Sequence, residues 1–242
     1  MTIPAPRAAR PGGSSLALTV ATAIVVIASV MPSPAVHAGG AQPAQPTQLT
    51  SQQKAEFIRS YEALPKVNVP LDSGGAKVLV VKFNDFQCPA CGNSYQVYKP
   101  IFAKYEAQKP GQVKLVMKDY PLNPSCNEFV SQMIHPAACD AAVAVRLMAP
   151  AKVLEMEEWL YSHQPAMTPA SVRQAAKDIG GVNDFEAKFN TTLAQVKSDI
   201  ALGRQLQVKS TPTFFINGVK IEGALPPQYF DEAIAFELNR AK

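Results

Sequence analysis

The chain has 242 residues, of which 47% are hydrophobic and 17% are charged. This is the composition of a globular protein able to bury a core, which excludes a chain that is disordered overall. The net charge of +4 comes from lysines and arginines scattered singly. Because they form no basic stripe that could neutralise phosphates, the sequence predicts no nucleic-acid partner.

Residues 1–38 are predicted to be a secretory signal peptide. Arg7 and Arg10 precede an apolar run over residues 16–30, and Val36-His37-Ala38 offers the small residues of a cleavage site. An uncleaved membrane anchor is the alternative, but residues 16–31 would span only about 24 Å of a hydrocarbon core about 30 Å thick. We therefore expect a periplasmic or otherwise extracytoplasmic protein, with membrane anchoring still possible.

The next segments predict a linker followed by the first half of a domain. Residues 39–48 are rich in proline and read as a flexible linker, which leaves one domain over residues 49–242. The spacing of hydrophobic residues, together with the prolines and glycines that interrupt it, predicts the first helices and strands. In chain order these are a helix over 51–64, a short edge strand over 67–71, a central strand over 76–83, a helix over 89–108 and a strand over 112–120. The last three make a βαβ unit.

A helical insertion over about residues 122–207 is predicted next, and a ββα half follows it. The insertion contains four helical patterns separated by proline or glycine. They cover residues 142–148, 153–161, 171–179 and 185–206. Asn217-Gly218 is a strong hairpin signal between strands over 213–216 and 219–221. A final helix is predicted over 227–240, so the fold class is α/β.

The candidate chemistry lies in Cys88-Pro89-Ala90-Cys91, where the central strand ends and a helix begins. The N–H groups and dipole of that helix end stabilise a thiolate, which lowers the pKa of Cys88. Pro89 suits the first helical position, and Cys91, one turn in, is predicted to be the buried resolving thiol. The alternative is half of a zinc site. Against it, the other two cysteines have twelve residues between them and an oxidising compartment opposes free zinc thiolates.

A second motif, Ser210-Thr211-Pro212-Thr213 before Phe-Phe-Ile-Asn-Gly, completes a known pattern. With Phe-Asn-Asp-Phe-Gln-Cys-Pro-Ala-Cys and the order of elements above, residues 50–242 resemble a DsbA-type thiol-disulfide oxidoreductase of the thioredoxin superfamily. The resemblance implies a thioredoxin-like fold with a helical insertion between its βαβ and ββα halves. It also implies that Pro212 is a cis-proline facing the active site, that Thr211 offers its backbone to substrate, and that Phe86 borders a groove for unfolded chains. From the residues alone, a trans Pro212 and a core Phe86 are the alternatives.

The resemblance further implies a function. We expect an enzyme that introduces disulfide bonds into exported, unfolded proteins through Cys88 and Cys91, without a metal or organic cofactor. A membrane quinone reductase of the DsbB or vitamin K epoxide reductase type would reoxidise it. A disulfide reductase or isomerase kept reduced by a membrane donor, or a non-catalytic chaperone or binding module, are the alternatives.

The remaining candidate residues are two cysteines and a lysine. We expect Cys126 and Cys139 to form a structural disulfide, because most exported disulfides are structural, with a second redox pair as the alternative. Lys82 stands six residues before Cys88, where relatives usually carry an acid. Strand alternation predicts that Lys82 is buried beneath the site, unless its stem reaches water. His135 and His163 show no partner pattern and are expected to be ordinary surface or loop residues.

Overall fold

The computed structural model describes residues 48–241. The predicted signal peptide, and all but the last residue of the predicted linker, lie outside the described residues. Helix α1 is Ser51–Glu62, and Thr50 caps it reciprocally with Gln53. The predicted edge strand over residues 67–71 is wrong: a single bridge joins Lys66 to Val219. Pro70 has no N–H to donate, so the segment cannot continue as a ladder.

A four-stranded sheet forms the centre of the protein. Its strands are β1 Val78–Asn84, β2 Val113–Asp119, β3 Thr213–Ile216 and β4 Val219–Glu222. Their order is β2-β1-β3-β4. The pair β1 and β2 is parallel, and helix α2, Pro89–Gln108, connects them; β3 pairs antiparallel with both β1 and β4. Asn217 and Gly218 have φ of 45° and 87°, which gives the tight hairpin turn that their sequence predicts.

Four helices lie between β2 and β3, and one follows β4. They are α3 Ala138–Leu147, α4 Val153–Ser162, α5 Pro169–Gly180, α6 Phe185–Gln205 and α7 Pro227–Arg240. Helix α3 begins four residues before its predicted start, because alanines favour helix and Asp140 suits a first turn. The βαβ half, the helices and the ββα half occur in the predicted order, which confirms the fold class. Within residues 48–241 no helix is both long and apolar enough to cross a membrane.

The two faces of the sheet bury two different cores. Val81 and Phe83 of β1 pack on one face with the helices between β2 and β3. Val78 and Val80 pack on the other face with side chains of α1, α2 and α7. Because side chains alternate along a strand, Lys82 belongs to the second face. The carboxyl end of β1 therefore brings Lys82 beneath the amino end of α2.

Candidate active site

Cys88 occupies the N-cap position of α2, and Pro89 is the first helical residue. The Cys88 thiol donates to the backbone carbonyl of Thr211 at 3.3 Å. The Thr211–Pro212 peptide bond is cis. The two motifs, more than a hundred residues apart in sequence, therefore meet at one point, and the proline segment covers the first cysteine.

The two cysteines of the dithiol have opposite acidities. Hydrogen bonding from Cys91 lowers the pKa of Cys88 to about 5, against the opposing effect of its own burial. Burial raises the pKa of Cys91 well above 9.0, the ordinary value for a thiol. Cys88 is 6% exposed, and Cys91 has no exposed surface. A thiolate therefore forms at Cys88 while Cys91 holds its proton.

Lys82 lies directly beneath the second cysteine. It is 3% exposed, which confirms burial over the snorkelling alternative. Its ammonium donates to the backbone carbonyl of Cys91 at 3.2 Å and lies 5.5 Å from the ring centre of Tyr161. Burial lowers the pKa of Lys82, and the charges of Cys91, Glu157 and Cys88 oppose that shift. The charge of Lys82 thus depends on the charge of the dithiol.

A cavity of about 230 Å³ adjoins Lys82 and is lined also by Tyr95 and Glu157. Burial raises the pKa of Glu157 to about 7, although Lys82 opposes the rise. Glu157 belongs to α4, so the helical insertion places a carboxyl group near the lysine. Glu157 is not predicted as a site residue, because nothing in the sequence indicates that α4 reaches this cavity.

Asp85 and His135 form a pair on the other side of the dithiol. The fully buried Asp85 carboxylate contacts His135 Nδ1 at 2.7 Å. The backbone N–H of Asp85 donates to Cys91 Sγ at 3.5 Å. The expectation that His135 is an ordinary surface or loop residue is therefore wrong, because the loop after β2 folds back onto the active site. His163 is exposed and stacks on Trp159, as an ordinary surface residue does.

Phe86 does not border a surface groove. It is 2% exposed and packs against Tyr161, with ring centres 5.4 Å apart. The expectation of an accessible groove residue is wrong at this position, since α4 covers the loop before Cys88 and makes Phe86 part of the core. Tyr161 donates to Asn84 at 2.9 Å and so ties α4 to the end of β1.

The other two cysteines are joined. Cys126 and Cys139 form a disulfide with their Cα atoms 6.0 Å apart. It closes the loop that contains His135 and ends at the start of α3. Cys88 and Cys91 are free thiols. The four cysteines thus form one disulfide and one separate dithiol.

Known proteins share this architecture. Oxidised BdbD from Bacillus subtilis superposes with a TM-score of 0.55 at 22% identity, over 73% of this chain and 97% of that chain. α-DsbA1 from Wolbachia pipientis superposes with a TM-score of 0.57 at 19% identity, over 75% of this chain and 97% of that chain. At these identities the likeness shows the fold.

Two kinds of named relative match the sequence. Disulfide bond formation protein D of Bacillus subtilis is 26% identical over 185 residues, 70% of this chain and 76% of that protein. The Na⁺/H⁺ antiporter NhaA 3 of Salinispora tropica is 28% identical over 155 residues, 61% of this chain and 21% of the antiporter. The chain therefore spans about a fifth of the length of the antiporters that it matches.

The fold places a dithiol, Cys88 and Cys91, at the amino end of α2 beside the end of the central strand β1. Residues 73–235 match the family model described as Thioredoxin. Since the match covers more than half of the chain, the protein belongs to the thioredoxin family.

Proposed function

We propose that the protein is an exported oxidase that introduces disulfide bonds into extracytoplasmic proteins through Cys88 and Cys91. The observation that carries the proposal is the position of Cys88, which occupies the N-cap position of α2 and contacts the Thr211 carbonyl, and at which a hydrogen bond from Cys91 lowers the pKa of Cys88 to about 5. A stabilised thiolate stabilises the reduced form of the couple, so the corresponding disulfide is a stronger oxidant. The direction of electron flow is then from substrate to protein.

The reaction proceeds in two exchanges. A substrate thiolate attacks Cys88 Sγ of the Cys88–Cys91 disulfide; the bond between the two sulfurs breaks, and Cys91 leaves as a thiolate that takes up a proton. A second substrate thiolate then attacks the substrate sulfur of the mixed disulfide and expels Cys88 as a thiolate. The substrate loses two electrons and gains a disulfide, and the protein gains the two electrons as a dithiol.

The neighbouring residues have roles in this scheme. The Thr211 carbonyl lies beside Cys88, and in the proposal the Thr211–Pro212 segment pairs with the extended backbone of the substrate. Pro89 begins α2 and Ala90 leaves the thiolate uncrowded. Lys82 responds to the charge that appears on Cys91. The disulfide between Cys126 and Cys139 has a structural role.

Export and reoxidation complete the proposal. Arg7, Arg10 and the apolar run after them support secretion by a cleaved signal peptide. The name of the Bacillus relative, disulfide bond formation protein D, supports the oxidising direction. A membrane quinone reductase of the DsbB or vitamin K epoxide reductase type would return the dithiol to the disulfide.

Trapping the mixed disulfide tests the proposal. In Cys91→Ala the resolving thiol is missing while Cys88 keeps its nucleophilic position, so adducts with exported proteins are expected to accumulate. The control is Cys88→Ser in the same background, which cannot form them. Recovery of no adducts on non-reducing gels would remove oxidase and reductase functions together. A Cys88→Ser protein that kept its full cellular activity would instead support a chaperone.

A further inference from the structure

The loop between β2 and α3 is fixed against the active site by several hydrogen bonds. The Leu122 N–H donates to Asp85 Oδ2 at 2.8 Å, and the Ala137 N–H donates to the side chain of Gln87 at 2.7 Å. The amide of Asn123 donates to the carbonyls of His135 and Pro136. His135 is therefore held in place on both its backbone and its ring.

Asp85 needs a positive partner because its side chain has no exposed surface. Two backbone N–H groups, those of Gln87 and Leu122, donate to the carboxylate at 2.8 Å. His135 is its ion-pair partner among residues 48–241. A buried carboxylate without a compensating cation is costly, and here it would also stand beside a thiolate.

We propose that His135, acting through Asp85, is a positioning residue whose positive charge balances the Cys88 thiolate in the reduced protein. Only the benefit of this charge balance to an oxidase rests on the proposed function, since the charge balance itself exists in any protein with this dithiol. The motif itself carries Pro89 and Ala90 between its two cysteines and so provides no charge. The cation comes instead from a loop about fifty residues further along the chain.

The charges around the pair act in a consistent direction. The Asp85 carboxylate raises the pKa of Cys88, so its neutralisation by His135 favours the thiolate. Hydrogen bonding to Asp85, with the charges of Asp85 and Cys88, raises the pKa of His135 above 6.5. Lys82 and Cys91 are the other titratable groups close to Cys88. Because linkage is reciprocal, the thiolate must strengthen the binding of a proton by His135.

His135→Gln separates charge from structure. Glutamine can keep the hydrogen bond to Asp85, but it cannot be protonated. The matched control is His163→Gln, because His163 is exposed and lies at the carboxyl end of α4. His135→Gln is expected to raise the pKa of Cys88 in the reduced protein by on the order of one unit at most. Half-reduction of the variant should then require a [GSH]²/[GSSG] ratio about threefold to tenfold higher than that of wild type.

The pH dependence distinguishes an electrostatic role of His135 from a purely structural one. The effect of His135→Gln is expected to be full near pH 6, below the raised pKa of His135, and it should diminish as the pH rises through that pKa. His163→Gln should match wild type throughout. A folded His135→Gln that matches wild type at pH 6, or that differs from it equally at pH 6 and pH 9, would overturn the proposal.

A second measurement needs no variant at His135. Imidazole signals assigned by NMR give the pKa of His135 in the oxidised wild type, the reduced wild type and Cys88→Ser. The proposal expects the highest value in the reduced wild type and lower, similar values in the other two. Equal values in all three would refute it. A wild type that shows no reversible disulfide with glutathione would instead contradict the proposed function.

Discussion

Replacing Lys82 by methionine removes a buried charge while keeping most of the side chain's length. Two unit charges about 6 Å apart at an effective dielectric constant of about 20 interact by about 3 kcal/mol, or about 2 pKa units. Since a protonated Lys82 lowers the pKa of Cys91, Lys82→Met should raise that pKa further. A leaving thiol of higher pKa leaves more slowly, so peptide oxidation should slow by on the order of tenfold.

The assay is the rate of oxidation of a dithiol peptide, together with equilibration against glutathione, between pH 5 and pH 9. Lys77→Met is the matched control, because Lys77 is exposed just before β1. If both variants match wild type in rate and in potential at every pH, Lys82 has no part in the chemistry.

Stability gives an independent result for the same variant. The folded pKa of Lys82 lies below its ordinary value of 10.5, so between these two pH values the unfolded chain binds more protons. Wild-type stability therefore rises with pH across this window. In urea unfolding of the disulfide form, Lys82→Met should gain stability relative to wild type at neutral pH, and the gain should shrink toward pH 10.5. A gain that stays constant or grows with pH would contradict the burial of a titrating lysine.

Three further predictions concern neighbouring features. Ala90→His should make the disulfide more oxidising against glutathione, because an imidazolium beside Cys88 stabilises the thiolate; an unchanged or lower potential would refute this. Replacing both Cys126 and Cys139 by alanine should cost about 3 kcal/mol in urea unfolding while peptide oxidation by the folded protein continues; loss of oxidation in folded protein would indicate a redox role. Glu157→Gln should stabilise the protein by up to about 3 kcal/mol above pH 7 and have little effect at pH 4, because the folded carboxyl has a pKa of about 7 and the unfolded one titrates near 4.5. Glu158→Gln, at an exposed neighbour paired with Lys99, is the control, and equal pH profiles for the two variants would contradict the account.

The sequence predicts the elements that build the dithiol because their signals are local. The apolar run of β1, Pro89 at the first helical position and the Asn217-Gly218 turn each specify their own backbone conformation. The predicted bounds of β3 and α7 agree with the structure for the same reason. The strand over residues 67–71 was expected at the edge of the sheet because prolines flank and interrupt the segment, and it is absent because a ladder needs a partner and N–H donors.

The site is less predictable where it depends on contacts between distant segments. Burial of Phe86 and the position of Glu157 both follow from where α4 packs, which local periodicity does not encode. His135 lies in an irregular loop whose path is fixed by Asn123 and Asp85. The available signal was Asp85, an acid three residues before Cys88. A carboxylate that is buried there needs a cation from elsewhere in the chain.

The redox state of Cys88 and Cys91 in the native cell tests the proposed oxidase most directly. Acid quenching followed by alkylation of free thiols, with Cys88→Ser as the reference for a single free thiol, reports that state at steady state. An oxidase whose disulfide is regenerated by a membrane partner should be found mainly with Cys88 and Cys91 joined. A protein found mainly as the dithiol would contradict the oxidase function and favour a reductase or isomerase supplied with electrons.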